Sequence, residues 1–99
     1  FLICFNSAMI PVGVFEISHG CVNQSLVCPR EVFIRALLCG AAGFILIHNH
    51  PSGSIIASRE DISVCRRFQD ASQMMGISFF DFLIVGNGFY SFRKSSEMF

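Results

Sequence analysis

The stretch His48-Asn49-His50-Pro51-Ser52-Gly53, followed by Ser58 and Asp61, restricts this chain more than any other. An apolar run, Phe44-Ile45-Leu46-Ile47, leads directly into the first histidine. A short, partly β-branched run of this kind predicts a buried strand. Side chains alternate between the two faces of a strand, so His48 and His50 share a face and can aim at one point from its end. Pro51 and Gly53 then break the strand and turn the chain. Ser58-Arg59-Glu60-Asp61 opens the next helix in the form of a capping box, with Asp where Glu or Gln is usual. That placement holds Asp61 on the first turn, a short loop away from the histidines. Two imidazoles and one carboxylate carried by rigid neighbours are the ligand set of a catalytic zinc site, whose fourth position is left to water. Zinc in such a site brings the pKa of its water to about 7 and makes a nucleophile near neutral pH.

Taken singly, each part has a plainer reading. A His-x-His pair is weak evidence of metal, and Ser-x-x-Asp is most often only a helix cap. Asp61 can do both jobs, because a carboxylate has two oxygens and about four lone-pair sites. Strand, paired histidines, Pro-Ser-Gly turn, serine and aspartate in this order are far more specific than any one of them.

With those residues in view, the chain resembles the JAMM (JAB/MPN-type) zinc metalloprotease-like proteins. Asn49 between the histidines and Pro51-Ser52-Gly53 after them resemble the RadC branch, labelled as DNA-repair proteins. Cys28-Pro29-Arg30-Glu31-Val32-Phe33 and the stretch Gly76-Ile77…Asp81…Ile84-Val85-Gly86 resemble that branch too. The resemblance covers essentially the whole chain. It implies an α/β domain, a mixed β-sheet flanked by helices in the cytidine-deaminase-like three-layer arrangement. It implies that His48, His50 and Asp61 bind zinc and that Ser58 hydrogen-bonds the oxyanion. It also implies a general-base glutamate on an upstream strand. In RadC-like chains this glutamate lies a few residues ahead of the stretch that Phe1–Asn6 resembles, so the role passes to neither Glu16 nor Glu31. On that reading the 99 residues are one domain of a longer polypeptide. Two positions depart from the branch. Cys28 stands where a His often precedes Pro-Arg-Glu, and Asp81-Phe82 stands where Asp-His is frequent. Neither touches the metal set.

Composition narrows the alternatives. Charged residues are 14% and hydrophobic residues 53%, with twelve Phe, against roughly 25% charged in an average soluble domain. Some apolar surface is therefore expected to be covered by more chain, a second copy or a partner. The formal net charge is zero, and Arg66-Arg67 are the only adjacent arginines. No clustered basic stripe of the kind that marks a DNA-binding face is visible. No run approaches the ~20 apolar residues of a membrane span, and Phe1 opens no signal peptide. Five cysteines without C-x-x-C read as free thiols in a reducing cytosol. The His-x-Glu…Pro-Cys-x-x-Cys signature of zinc deaminases is absent.

The remaining elements follow from pattern. Phe1–Phe5 and Pro11–Ser18 read as an antiparallel hairpin turned at Asn6-Ser7, with Val12, Val14 and Glu16 on one face. Gly20 turns the chain out, and His19 reads as an exposed turn residue. Pro29 opens a helix whose apolar face is Val32, Phe33, Ala36 and Leu37, with Gly40 just past its end. Arg30-Glu31 reads as a solvated pair or as residues lining the active cleft; residue type favours the first, and the family resemblance draws Arg30 toward the cleft. A second helix runs from Ser58 to Met75, Gly76 its stop, with Ile62, Cys65, Phe68, Ser72 and Met75 toward the sheet. Phe79–Val85 is a strand, Asn87-Gly88 a two-residue hairpin turn, and Tyr90-Ser91-Phe92 pairs back. Arg93 to Phe99 is polar enough to fray.

The resulting expectation is a cytoplasmic Zn2+-dependent hydrolase acting on a peptide or isopeptide bond of a protein substrate. Two other expectations stand beside it. One is a non-catalytic interaction module with DNA-repair partners and a structural metal. The other is a metal-dependent nuclease.

Overall fold

The computed structural model describes residues 1–17, 28–95 and 99. Among the described residues five strands form one mixed sheet: β1 (Leu2–Phe5), β2 (Pro11–Phe15), β3 (Gly43–Asn49), β4 (Ser78–Val85) and β5 (Phe89–Ser91). Three helices accompany them: α1 (Pro29–Leu38), α2 (Arg59–Met75) and the short α3 (Phe92–Ser95). The strand order is β2-β1-β3-β4-β5. Only β3 and β4 run parallel, joined by the crossover through α2; the other neighbours are antiparallel. The α/β class and the helix-flanked mixed sheet are as expected, and they are consistent with a JAB/MPN-like fold.

The core lies between one face of the sheet and the two long helices. Leu2 and Cys4 of β1, Phe44 and Leu46 of β3, and Phe79 of β4 are buried against Val32, Phe33 and Ala36 of α1 and Val64, Cys65 and Phe68 of α2. Phenylalanine rings join the layers. Phe44 meets Phe33 edge-on at 5.5 Å and stacks on Phe79 at 5.0 Å, and Phe33 stacks on Phe68 at 5.9 Å. Such pairs contribute ~0.5–1.5 kcal/mol each beyond the area they bury.

Several boundaries and faces differ from expectation for local reasons. In α1, Leu37 is exposed, and the buried face is Val32, Phe33 and Ala36 alone. In α2, Val64 takes the core position and Met75 is 44% exposed. The left-handed Gly76 (φ 69°) turns the chain within one residue, and the Ile77 N–H closes back on the Ser72 carbonyl at 3.1 Å. Ile77 therefore enters the core where Met75 was expected. The β4–β5 loop holds three residues rather than two, since Val85 pairs with Phe89. Asn87 has no positive φ, so the type I′ turn that its Asn-Gly sequence suggests is not formed. The segment after β5 is held rather than frayed through Ser95. The Ser91 hydroxyl donates to Asp81, and the Arg93 N–H donates to the same carboxylate. The Phe99 ring lies 5.3 Å from that of Phe79.

β2 stops at Phe15, short of the expected end. Ser18, His19, Gly20 and Cys21 lie outside the described residues. Cys28 is disulfide-bonded, which departs from the expectation of free thiols. Cys4, Cys39 and Cys65 are free. Burial pushes the Cys4 and Cys65 thiols up to about 12, with Cys39 adding to the effect on Cys4 and Asp81 to that on Cys65. Among the described residues no helix is long and apolar enough to cross a membrane.

Candidate metal centre

β3 delivers the histidines. It pairs with β1 on one side and β4 on the other, which fixes both the height and the facing of its last residues. His48 lies inside the strand, opposite Ile84. His50 lies just beyond it, and its N–H donates to the Val85 carbonyl at 2.8 Å, which extends the parallel register by one more bond. The alternation of side chains brings the two rings together edge-to-face, 4.8 Å between centroids. Each ring has its own support. Phe82 of β4 lies nearly parallel to His48, 6.4 Å between centroids and 12° between planes. The backbone carbonyl of Ser54 faces Nδ1 of His50 at 3.1 Å.

α2 delivers the carboxylate. Ser58 is its N-cap and Asp61 its third residue, and the reciprocal capping box is complete. The Asp61 N–H donates to Ser58 Oγ at 3.1 Å. The Ser58 N–H and hydroxyl both donate to Asp61 Oδ2, each at 2.8 Å. The expected Asp variant of the box thus forms in full. The carboxylate is 2% exposed, which alone would push its pKa up. The Ser58 donors and then His48 outweigh burial, and the group lies below its ordinary value of 3.8.

The three side chains converge. His48 Nδ1 is 2.8 Å from Asp61 Oδ1, and His50 Nε2 is 3.2 Å from Asp61 Oδ2. One ligand atom from each residue lies within 4.8 Å of the others, with the histidines half-buried and the aspartate buried. All four residues singled out from the sequence, His48, His50, Ser58 and Asp61, therefore meet at one place.

The donor chemistry fits a divalent cation. A carbonyl oxygen only accepts, so Nδ1 of His50 must donate to Ser54, which leaves Nε2 as the ring nitrogen that can ligate a metal. That nitrogen faces a carboxylate oxygen at 3.2 Å. A ring nitrogen and a carboxylate oxygen at that distance share a positive charge, a proton or a metal. Ligands held about 2.0–2.2 Å from a tetrahedral zinc stand roughly 3.3–3.5 Å apart, close to this separation.

A cavity of about 230 Å³ opens beside His48, lined by Phe1, Glu16, Ile17, Leu46, Ile47, Asn49 and Phe82 as well. Sequence reasoning missed three contributors here: Ser54, Phe82 and Glu16. Phe82 is placed by the register of β4 against β3, and Glu16 lies just past the end of β2, which reaches β3 only through β1; no local pattern specifies either placement. Ser54 acts through its backbone, which leaves no trace in residue type. Arg30 is exposed on α1.

Comparison with known proteins gives the family. The RadC-like JAB domain model matches residues 1–98. The chain belongs to the RadC-like JAB domain family. Among its relatives are UPF0758 proteins of Geotalea uraniireducens, 50% identical over 84 residues, and of Pelobacter propionicus, 48% identical over 75 residues. That of Clostridium acetobutylicum is 39% identical over 98 residues. These matches cover 84%, 76% and 99% of this chain. They cover 37%, 33% and 43% of the respective relatives. The chain thus spans well under half the length of these RadC-family proteins.

Proposed function

We propose that this RadC-like JAB domain binds one zinc ion through His48, His50 and Asp61 and takes part in hydrolysis of a peptide or isopeptide bond. The observation that carries the reading is the convergence of His48, His50 and the buried Asp61, whose ligand atoms all lie within 4.8 Å of one another, with His50 Nε2 at 3.2 Å from Asp61 Oδ2. Zinc there supplies a Lewis acid and brings the pKa of a bound water near 7.

The chain's own residues do the rest. The Ser54 carbonyl holds His50 in the tautomer that ligates, and Phe82 holds the plane of the His48 ring. The α2 cap holds Asp61 ionised at the level of the histidines. Outer contacts of this kind typically govern metal affinity by 10–100-fold. Ser58 carries one hydroxyl proton, and in this structure it goes to Asp61. Its second expected task is a hydrogen bond to the tetrahedral oxyanion, and for that task the proton must leave Asp61. The general base is the glutamate that the family resemblance places ahead of Phe1.

The reading is tested by incubating the protein with a diverse peptide mixture, with zinc and with a chelator, and identifying products by mass spectrometry. Zinc-dependent cleavage that disappears in His50→Ala is the expected result. A protein that keeps zinc yet cleaves nothing, in any chain length, favours an interaction module with a structural metal.

A further inference from the structure

The loop from Pro51 to Ala57 begins and ends at the metal centre. Asp61 Oδ2 lies 3.2 Å from Nε2 of His50, just before the loop, and 2.8 Å from the hydroxyl of Ser58, just after it. One carboxylate oxygen thus closes the neck. Compact surface loops with adjacent ends are frequently functional.

The loop is pinned along its length. The Ser54 N–H donates to Ser52 Oγ at 3.3 Å, and the Ile56 N–H donates to Ser54 Oγ at 3.2 Å. The Gly53 carbonyl accepts from the Asn87 N–H, and Ala57 packs against the core. The serine hydroxyls therefore serve the loop's own backbone, while Pro51, Ile55 and Ile56 are exposed, Ile56 at 78%. That inverts the usual order of a surface loop, in which polar side chains face the water. A single exposed apolar residue needs no explanation. An adjacent pair held out by a fixed backbone, beside a candidate metal, is a different case.

Their position and chemistry define what they can meet. Ile55 follows Ser54, and Ile56 precedes Ser58 by two residues. Their Cα atoms therefore lie within about 3.8 and 7.6 Å, respectively, of those of Ser54 and Ser58, which touch His50 and Asp61. No charged residue stands between His50 and Arg59, so a charged substrate side chain finds no partner on this loop. An apolar one would remove both isoleucines from water. Isoleucine is stiff at χ1, so little side-chain freedom is lost when the contact forms.

We infer that Ile55 and Ile56 are specificity-determining residues, which contact an apolar side chain of the substrate next to the bond that is cleaved. The inference rests on the hydrolase reading and deepens it by naming a substrate class, peptides with an apolar residue beside the scissile bond.

The test is calorimetric titration of the zinc-loaded protein with hydroxamates, which chelate zinc, in two matched pairs. N-acetyl-leucine hydroxamate against N-acetyl-glycine hydroxamate probes the acyl side. The methylamides of 2-isobutylsuccinyl and unsubstituted succinyl hydroxamate probe the leaving-group side. In at least one pair the isobutyl member should bind tighter, by about fourfold for each methylene that the contact buries. The double variant Ile55→Ser, Ile56→Ser should bring that ratio close to one. A carboxymethyl group in place of the isobutyl should bring no gain. In NMR spectra of the wild type, the amides that shift differently between the two members should be those of residues 54–57, a readout that does not depend on the variant folding. Equal affinity within both pairs, a ratio that survives the double variant, an equal gain from carboxymethyl, or differential shifts away from the loop would each overturn the inference and leave the hydrolase reading standing. Zinc that cannot be loaded, or loaded zinc that no hydroxamate reaches, would sink the hydrolase reading and the inference with it.

Discussion

At the scale of single residues, Asp61 and Ser58 serve both the fold and the site. Ser58 caps α2 and braces the carboxylate with two donors. Ser58→Ala should cost about 1 kcal/mol in helix-cap stability, read by urea denaturation. If the hydroxyl also serves the oxyanion, the same variant in an active longer chain keeps its zinc and loses kcat. A loss of kcat that tracks a loss of zinc would mean that Ser58 only positions Asp61. Asp61 itself links stability to acidity. Its folded pKa is below 3.8, so its carboxylate contributes fully above that value, and the contribution disappears as pH falls through the lower folded value. Urea midpoints of the metal-free protein should therefore fall between pH 5 and pH 2 more steeply than those of Asp61→Asn. Parallel curves would show that the carboxylate is not held as described.

At the scale of elements, the site depends on how two loops pack. The Asn87 N–H donates to the Gly53 carbonyl at 2.8 Å, which ties the β4–β5 loop to the turn after His50. A Cβ on Gly86 would come within 2.4 Å of the Gly53 carbonyl oxygen, a backbone atom with nowhere to go. Gly86→Ala should push away the segment that carries Ser54, and with it the support of His50, weakening zinc about 10–100-fold. Gly76→Ala makes the contrast: its Cβ meets nothing, but φ is 69°, so it should cost ~1–2 kcal/mol of stability and leave zinc affinity unchanged. Calorimetric titration of both variants separates the two effects. The elements that form this site were legible to different degrees. β3, the α2 cap and the Gly76 stop are written in local pattern, and the ligand set follows from them. Leu37 and Met75 show where pattern fails. A helical stripe gives the direction of a face but not where the sheet beneath it ends. Asn87-Gly88 shows a turn preference overridden by the register between β4 and β5. The contributions of Phe82 and Glu16 needed strand pairing, which is a property of the whole sheet.

At the scale of the molecule, the apolar composition leaves visible surface. Met9, Ile10 and Val14 are 56%, 57% and 64% exposed around the outer strand β2, in line with the expectation that further chain, a second copy or a partner covers part of this domain. Chain length also bears on catalysis. A positioned general base contributes ~10²–10⁴ in rate, or ~3–5 kcal/mol of barrier. With that glutamate expected ahead of Phe1, these 99 residues should hold zinc and hydrolyse slowly. A chain extended upstream should gain that factor without a change in zinc affinity, because the glutamate acts on water and not on the metal. Its Gln variant should lose the gain. Equal activity of the two chains would redirect the base assignment to Glu16 or Glu31. The catalytic expectations stand on the metal site. The decisive measurement is calorimetric titration of the metal-free protein with zinc, beside His48→Ala, at pH 7.5 and again at pH 5.5. The wild type should bind about one zinc at pH 7.5 and bind it more weakly at pH 5.5, since a ligating imidazole must be neutral and protons compete with the metal for it. His48→Ala should abolish the binding. A variant that binds zinc as tightly as the wild type would contradict the assignment of His48, His50 and Asp61 as a metal centre.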